Sequence, residues 1–112
     1  MANRYKNAFY YSSNTNQIVT YTCPTDARAI IQNIQVTNHV GSNPDFEVFI
    51  SDASDSNEIH ELGHQVLAAK TTYNLAKGPV VLEEGDALLC QTSVANTASV
   101  VVSILETDRN QQ

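Results

Sequence analysis

Residues 80–106 read VVLEEGDALLCQTSVANTASVVVSILE, and the texture of this stretch decides the fold class. Val80-Val81-Leu82 and Ala87-Leu88-Leu89 are short apolar runs on either side of Glu83-Glu84-Gly85-Asp86. Gly85 can take a positive φ without a Cβ clash, and the Asp86 carboxylate can bond the backbone of its own turn. The expected unit is a strand, a tight turn and a strand, a hairpin. A polar turn follows, and then the β-branched run 99–105, whose side chains suit a pleated surface. No window of the chain holds an apolar i, i+3, i+4, i+7 stripe between good caps, so helices are not expected.

Upstream the same texture repeats. Candidate strands fall at 4–11, 17–22, 29–37, 46–51, 71–75, 80–82, 87–93 and 99–105, separated by clusters of Asn, Ser, Thr, Asp and Gly. Pro24 ends the second of these because it cannot donate to a ladder. Within 29–37, Ile30, Ile34 and Val36 share one parity and Ile31 faces the other way. Phe46, Val48 and Ile50 alternate with Glu47, Phe49 and Ser51. The segment 58–67 is compatible with a strand or a short helical piece. Short strands with turn signals every ~8–12 residues are the mark of an all-β sandwich or barrel. The expected architecture is an antiparallel, jelly-roll-like β-sandwich of roughly eight strands.

At 112 residues the chain suits one such domain with one core. Residues 1–11 form a candidate N-terminal arm or strand, and 107–112 a frayed tail. The start of the chain lacks the apolar stretch of a secretory signal, so it is not expected to be exported that way. No apolar run approaches the ~20 residues that span a bilayer as a helix. Cys23 and Cys90 are far apart in sequence. In a reducing cytoplasm they read as two buried thiols, although only facing Cβ atoms would decide whether they pair.

The formal net charge is −6, from 12 acids against 6 bases. Asp45, Glu47, Asp52, Asp55, Glu58 and Glu61 crowd one stretch without a Lys or Arg among them. Phosphate binding needs clustered basic residues, so neither nucleic acid nor an anionic membrane is an expected partner.

The sharpest motif is His60-Glu61-Leu62-Gly63-His64, a match to H-E-x-x-H. On a helix its two histidines share one face and can bind zinc, with Glu61 as general base. The surroundings do not suit that reading. Turn-forming residues precede the motif, Gly63 weakens a helix, and no His follows His64 to serve as a third ligand. On a strand, His60, Leu62, His64 and Val66 alternate with Ile59, Glu61, Gly63 and Gln65, and the match is fortuitous. Asp52, Asp55, Asn57 and Glu58 offer oxygen ligands at spacings foreign to calcium loops, and read as a turn bonding its own backbone. No nucleophile elbow or phosphate loop is present, and no cofactor or catalytic set is expected. Tyr5, Phe9, Tyr10 and Tyr11 are the candidate interface residues, since aromatic side chains concentrate at protein contacts.

The order of these pieces resembles the small β-sandwich virion proteins of tailed bacteriophages. The shared layout is the Pro24-preceded strand ending in Thr37-Asn38, the alternating strand from Phe46, the Leu82-Glu83-Glu84-Gly85-Asp86-Ala87-Leu88 segment, and the last strand with Ser103 and Glu106. It spans about residues 17–106. The resemblance implies a structural protein of the virion, assembled in the host cytoplasm. Its first reading is a capsid decoration, or cement, protein that acts as a homotrimer and clamps the major capsid protein. A neck, tail or fibre component is the alternative. A minimal zinc hydrolase built on His60, Glu61 and His64 is the reading of another class, and a carbohydrate-binding sandwich with tyrosine platforms is a weaker one.

Overall fold

The alternation becomes register in the computed structural model, which describes residues 3–108. Nine strands form: β1 (Asn3–Tyr11), β2 (Ile18–Thr22), β3 (Ala27–Asn38), β4 (Asp45–Asp52), β5 (Glu58–Val66), β6 (Thr72–Asn74), β7 (Val80–Leu82), β8 (Ala87–Thr92) and β9 (Ala98–Asp108). Among the described residues the one helical piece is a 3-10 turn, Ala53–Asp55. One sheet runs β1-β9-β3-β6, with β7 also paired to β3; the other runs β2-β8-β4-β5. Every pairing is antiparallel. Successive strands pass repeatedly from one sheet to the other, as in a jelly roll.

The core lies between the sheets. Ile31, Ile34 and Val36 of β3 and Val100, Val102 and Ile104 of β9 face Phe46 and Val48 of β4 and Leu88 and Cys90 of β8. Leu67, Leu75 and Leu82 close its side. Each large side chain so buried contributes about 1.5–3 kcal/mol relative to exposure.

The buried polar residues Asn38, Ser12 and Glu106 are tied to backbone or to other side chains. Asn38, at the end of β3, donates through Nδ2 to the carbonyls of Ser42 at 2.7 Å and Leu67 at 3.1 Å, and accepts from Val40 N–H at 3.1 Å. Ser12 Oγ accepts from the N–H groups of Thr97 and Ala98, both at 3.0 Å. Glu106 takes an inward position on β9 where the core ends. Arg4 and Lys6 of β1 reach its Oε1 at 3.3 and 3.5 Å, and the Tyr21 hydroxyl of β2 donates to its Oε2.

Five expectations change or are resolved. The ambiguous segment 58–67 is a strand through Val66, which raises the count to nine. The 80–89 segment is not a hairpin: β7 pairs with β3 in one sheet, and β8 with β2 and β4 in the other. Asp86 therefore holds an arch between sheets, accepting from Glu83 N–H within the turn and from Ala53 N–H across it, both at 2.9 Å. In β3 the ladder slips between Ile31 and Asn33, so Gln32 is an extra residue and Ile31 joins Ile34 in the core. Lastly, the candidate arm is an integral edge strand, β1, paired to β9 of its own chain from Asn3 to Tyr11. Of the supposed tail, Thr107 and Asp108 belong to β9, and 109–112 lie outside the described residues.

Candidate functional site

Two surfaces carry chemistry, one on each sheet. On the outer face of the first sheet, strict alternation along β1 turns Tyr5, Asn7, Phe9 and Tyr11 away from the core. Tyr5 is 80% exposed and Phe9 69%. Register sets Tyr5 beside Leu105, Leu105 beside Ile30, and Ile30 beside Val81, an apolar row across four strands. Phe9 lies beside Val101, itself exposed. Tyr11 stacks on His39, with ring centroids 5.8 Å apart and planes 14° from parallel. A shallow depression of about 230 Å³ opens between these rows, lined by Tyr5, Lys6, Asn7, Gln32, Ser103 and Ile104.

Tyr10 leaves the candidate interface. It has the opposite parity, is 6% exposed, and packs against Phe46 at 6.2 Å with its hydroxyl 3.0 Å from Thr92 Oγ1. A cluster of aromatic residues in sequence is split by a strand into an outward set and an inward one.

The outer face of the second sheet carries the HELGH segment, on the edge strand β5. Its ladder with β4 slips between Val48 and Phe49: Gly63 opposes Val48, Glu61 opposes Phe49, and Leu62 is extra. This bulge overturns the expected alternation. His64 opposes Glu47 on the outer face, whereas His60 opposes Ile50 on the other parity and approaches Glu58 at 3.7 Å. The two histidines do not share a face, and the helical zinc-hydrolase arrangement of His60, Glu61 and His64 is not formed. Glu61 and His64 are instead brought together, with Glu61 Oε2 3.4 Å from His64 Nδ1. Glu47 Oε2 lies 3.7 Å from the same nitrogen, and Asp45 Oδ1 3.8 Å from Nε2. A hydrogen bond with Glu61, then partial burial and the charge of Glu61, push the Glu47 carboxyl above the usual carboxylate range.

Neither cysteine is activated. Both are buried free thiols. Burial, with the charges of Glu106, Asp86 and Glu84 behind it, pushes Cys23 up to about 11, and burial pushes Cys90 up to about 11. A reactive thiol needs the opposite shift. In the acidic loop Asp52 Oδ1 accepts from Ser54 N–H at 3.0 Å and Ser54 Oγ–H at 2.6 Å, so that carboxylate serves its own turn.

No family model matches the chain, and no curated protein matches it in sequence. Solved structures do share the fold. The core of Drosophila NLP, studied for pentamer formation and histone binding, superposes with a TM-score of 0.62 at 10% identity, over 94% of this chain and 99% of that one. A subunit of the disulfide-linked pili that form Bacillus endospore appendages gives 0.57 at 8% identity, over 96% and 87%. A capsid structure of the Helicobacter pylori bacteriophage KHP30 gives 0.48 at 10% identity, over 96% and 94%, too loose a superposition to argue from. At these identities the likeness is one of fold.

Proposed function

We propose that this chain is a structural protein of a tailed-phage virion, a capsid decoration or cement protein that assembles with its own copies and binds the major capsid protein. The order of sequence pieces from Pro24 to Glu106 supports the virion setting. The observation that carries the assembly is the outer face of the first sheet. Tyr5, Phe9 and Val101 stand exposed there, and Tyr5 heads the apolar row that ends at Val81. Exposed apolar patches rimmed by polar residues mark contact sites, and a closed symmetric oligomer covers such a face and the β1 edge together. In this reading the aromatic face joins copies in a homotrimer and the chemistry is non-catalytic. The fold shared with the NLP core and the spore pilus subunit does not choose among partners.

Light scattering on the size-excluded protein tests the assembly. A trimer is expected, and a double substitution Tyr5→Ser, Phe9→Ser should reduce it to the 12.3 kDa chain with its β-sheet circular dichroism intact. A wild-type monomer at the highest soluble concentration would overturn the homotrimer. Quantifying the chain in purified particles tests the position. Copies close in number to the major capsid protein mean decoration, and a few per particle mean neck, tail or fibre.

A further inference from the structure

We propose that Glu47, Glu61 and His64 form a zinc-binding site on the outer face of the second sheet, with Asp45 orienting the imidazole. One donor atom from each of the three ligands lies within 4.8 Å of the others. Zinc held by ligands at ~2.0–2.2 Å in a tetrahedron places them roughly 3.3–3.6 Å apart. The 3.4 and 3.7 Å separations from His64 Nδ1 to Glu61 and Glu47 already sit close to that. One imidazole nitrogen and two carboxylates suit zinc; calcium takes six or more oxygens, and magnesium avoids nitrogen.

Three features set this cluster apart from a patch of exposed acids. The imidazole presents both nitrogens, Nδ1 toward the pair of glutamates and Nε2 toward Asp45. A metal-ligating histidine characteristically donates its second N–H to a carboxylate, which fixes the tautomer and the ring plane. Placement is the second feature. Glu61 and His64 are three residues apart on a strand and would face opposite ways; the extra residue Leu62 puts both on the face that Glu47 occupies. Charge is the third. Among the described residues, Asp45, Glu47 and Glu61 have no Lys or Arg within ion-pairing distance, and His64 is their one basic neighbour. A divalent cation supplies the missing charge and ties the edge strand β5 to β4. Three protein ligands leave a fourth position for water or a group from another molecule.

The site is distinct from the helical H-E-x-x-H arrangement, because His60 takes no part and Glu61 is a ligand rather than a base. It is also independent of the aromatic face, so the oligomer experiment does not bear on it.

The test is calorimetric titration of zinc chloride into chelator-stripped, tag-free full-length protein, with melting curves on the same samples. Saturation at one zinc per chain and a higher melting temperature are expected. His64→Ala and Glu61→Gln should each lower the affinity at least tenfold, Asp45→Asn about 10–100-fold, and His60→Ala should leave it unchanged. Far-UV circular dichroism shows that each variant is folded, as exposed positions permit. Absence of saturable binding to the wild type would overturn the proposal, as would undiminished binding by His64→Ala. Loss in His60→Ala equal to that in His64→Ala would return the metal to the sequence motif. An unaffected Asp45→Asn would remove the orienting role alone.

Discussion

The outward face of β1 and the outward face of β5 lie on opposite sides of one sandwich, and they are made by different rules. Along β1 nothing interrupts the two-residue period, so Tyr5, Phe9 and Tyr11 emerge together and Tyr10 goes in. Along β5 the period is broken once, at Leu62, and the break collects Glu61 and His64 beside Glu47 while sending His60 to the other side. A regular strand displays what its sequence spells. A bulged strand assembles groups that its sequence keeps apart, and spends backbone pairing to do so. The aromatic face is thus an extended surface suited to another surface. The bulged face is a point suited to something small.

The comparison breaks most severely if β1 loses its hold, and the residue that holds its start is Glu106. Burial pushes the Glu106 carboxyl up, but the Tyr21 hydroxyl, Lys6 and Arg4 together outweigh it and leave it below the usual range. A folded-state value below the unfolded one adds stability that is present above the unfolded carboxylate value of about 4.3 and fades as pH falls through the folded one. Arg4 and Lys6 are half exposed, so solvent weakens their share. The charged hydrogen bonds to the buried carboxylate remain the larger part. Glu106→Gln should cost about 2–3 kcal/mol at neutral pH. Chemical denaturation repeated across pH should show that difference shrinking below about pH 4. A cost independent of pH would mean that Glu106 acts by shape and not by charge.

A smaller effect sharpens the division within β1 itself. Tyr10→Phe removes the hydroxyl from Thr92 and keeps the ring on Phe46, and should cost about 1 kcal/mol. Phe9→Ser, one residue away but exposed, should stay within about 0.5 kcal/mol for the chain unfolded from its monomeric state. Equal costs for the two would show that Phe9 is covered within the folded chain and that the face is less open than its exposure indicates.

How much of this was legible in the sequence follows the same line. Short β-branched runs between turn residues gave away the two-sheet class, but grouping Tyr5, Phe9, Tyr10 and Tyr11 as one interface passed over the two-residue period that turns Tyr10 inward. Parity failed at Gln32 and at Leu62, because a bulge is a decision of the pair of strands: its signal is in the partner's length and register, not in the bulged segment. Gly63, read as a helix breaker, was the nearest thing to a local sign. Glycine within a strand often marks a bulge or a close approach. The apparent hairpin at Gly85-Asp86 failed for a related reason. Turn chemistry fixes a reversal of the chain, and an arch between sheets and a hairpin within one sheet need the same residues. Asp86 distinguishes them only through its bond to Ala53 N–H, 33 positions upstream.

Gly63 allows the smallest and most discriminating test of the comparison. If the bulge requires glycine for its backbone, any side chain there should be costly; if it is set by pairing, alanine should be accepted. Gly63 is absent from the positive-φ positions, which among glycines are Gly78 and Gly85. A Cβ built on it meets Val48 Cγ1 at 3.4 Å and Leu75 Cδ2 at 3.5 Å, ordinary contact distances on the core side. Alanine also loses less backbone freedom on folding, worth about 0.5–1 kcal/mol. Gly63→Ala should therefore leave the melting temperature unchanged or raise it slightly, and should leave zinc affinity within about twofold, which is roughly 0.4 kcal/mol. At the adjacent Leu62 the same rule predicts tolerance of a larger change, because deleting that residue removes the bulge and leaves Glu61 and His64 two positions apart, still on the face of Glu47. Zinc affinity kept in both Gly63→Ala and the Leu62 deletion would place the origin of the cluster in the pairing of β5 with β4 and not in the identity of the glycine, whereas zinc lost on the deletion would show that the backbone of the bulge itself positions the ligands.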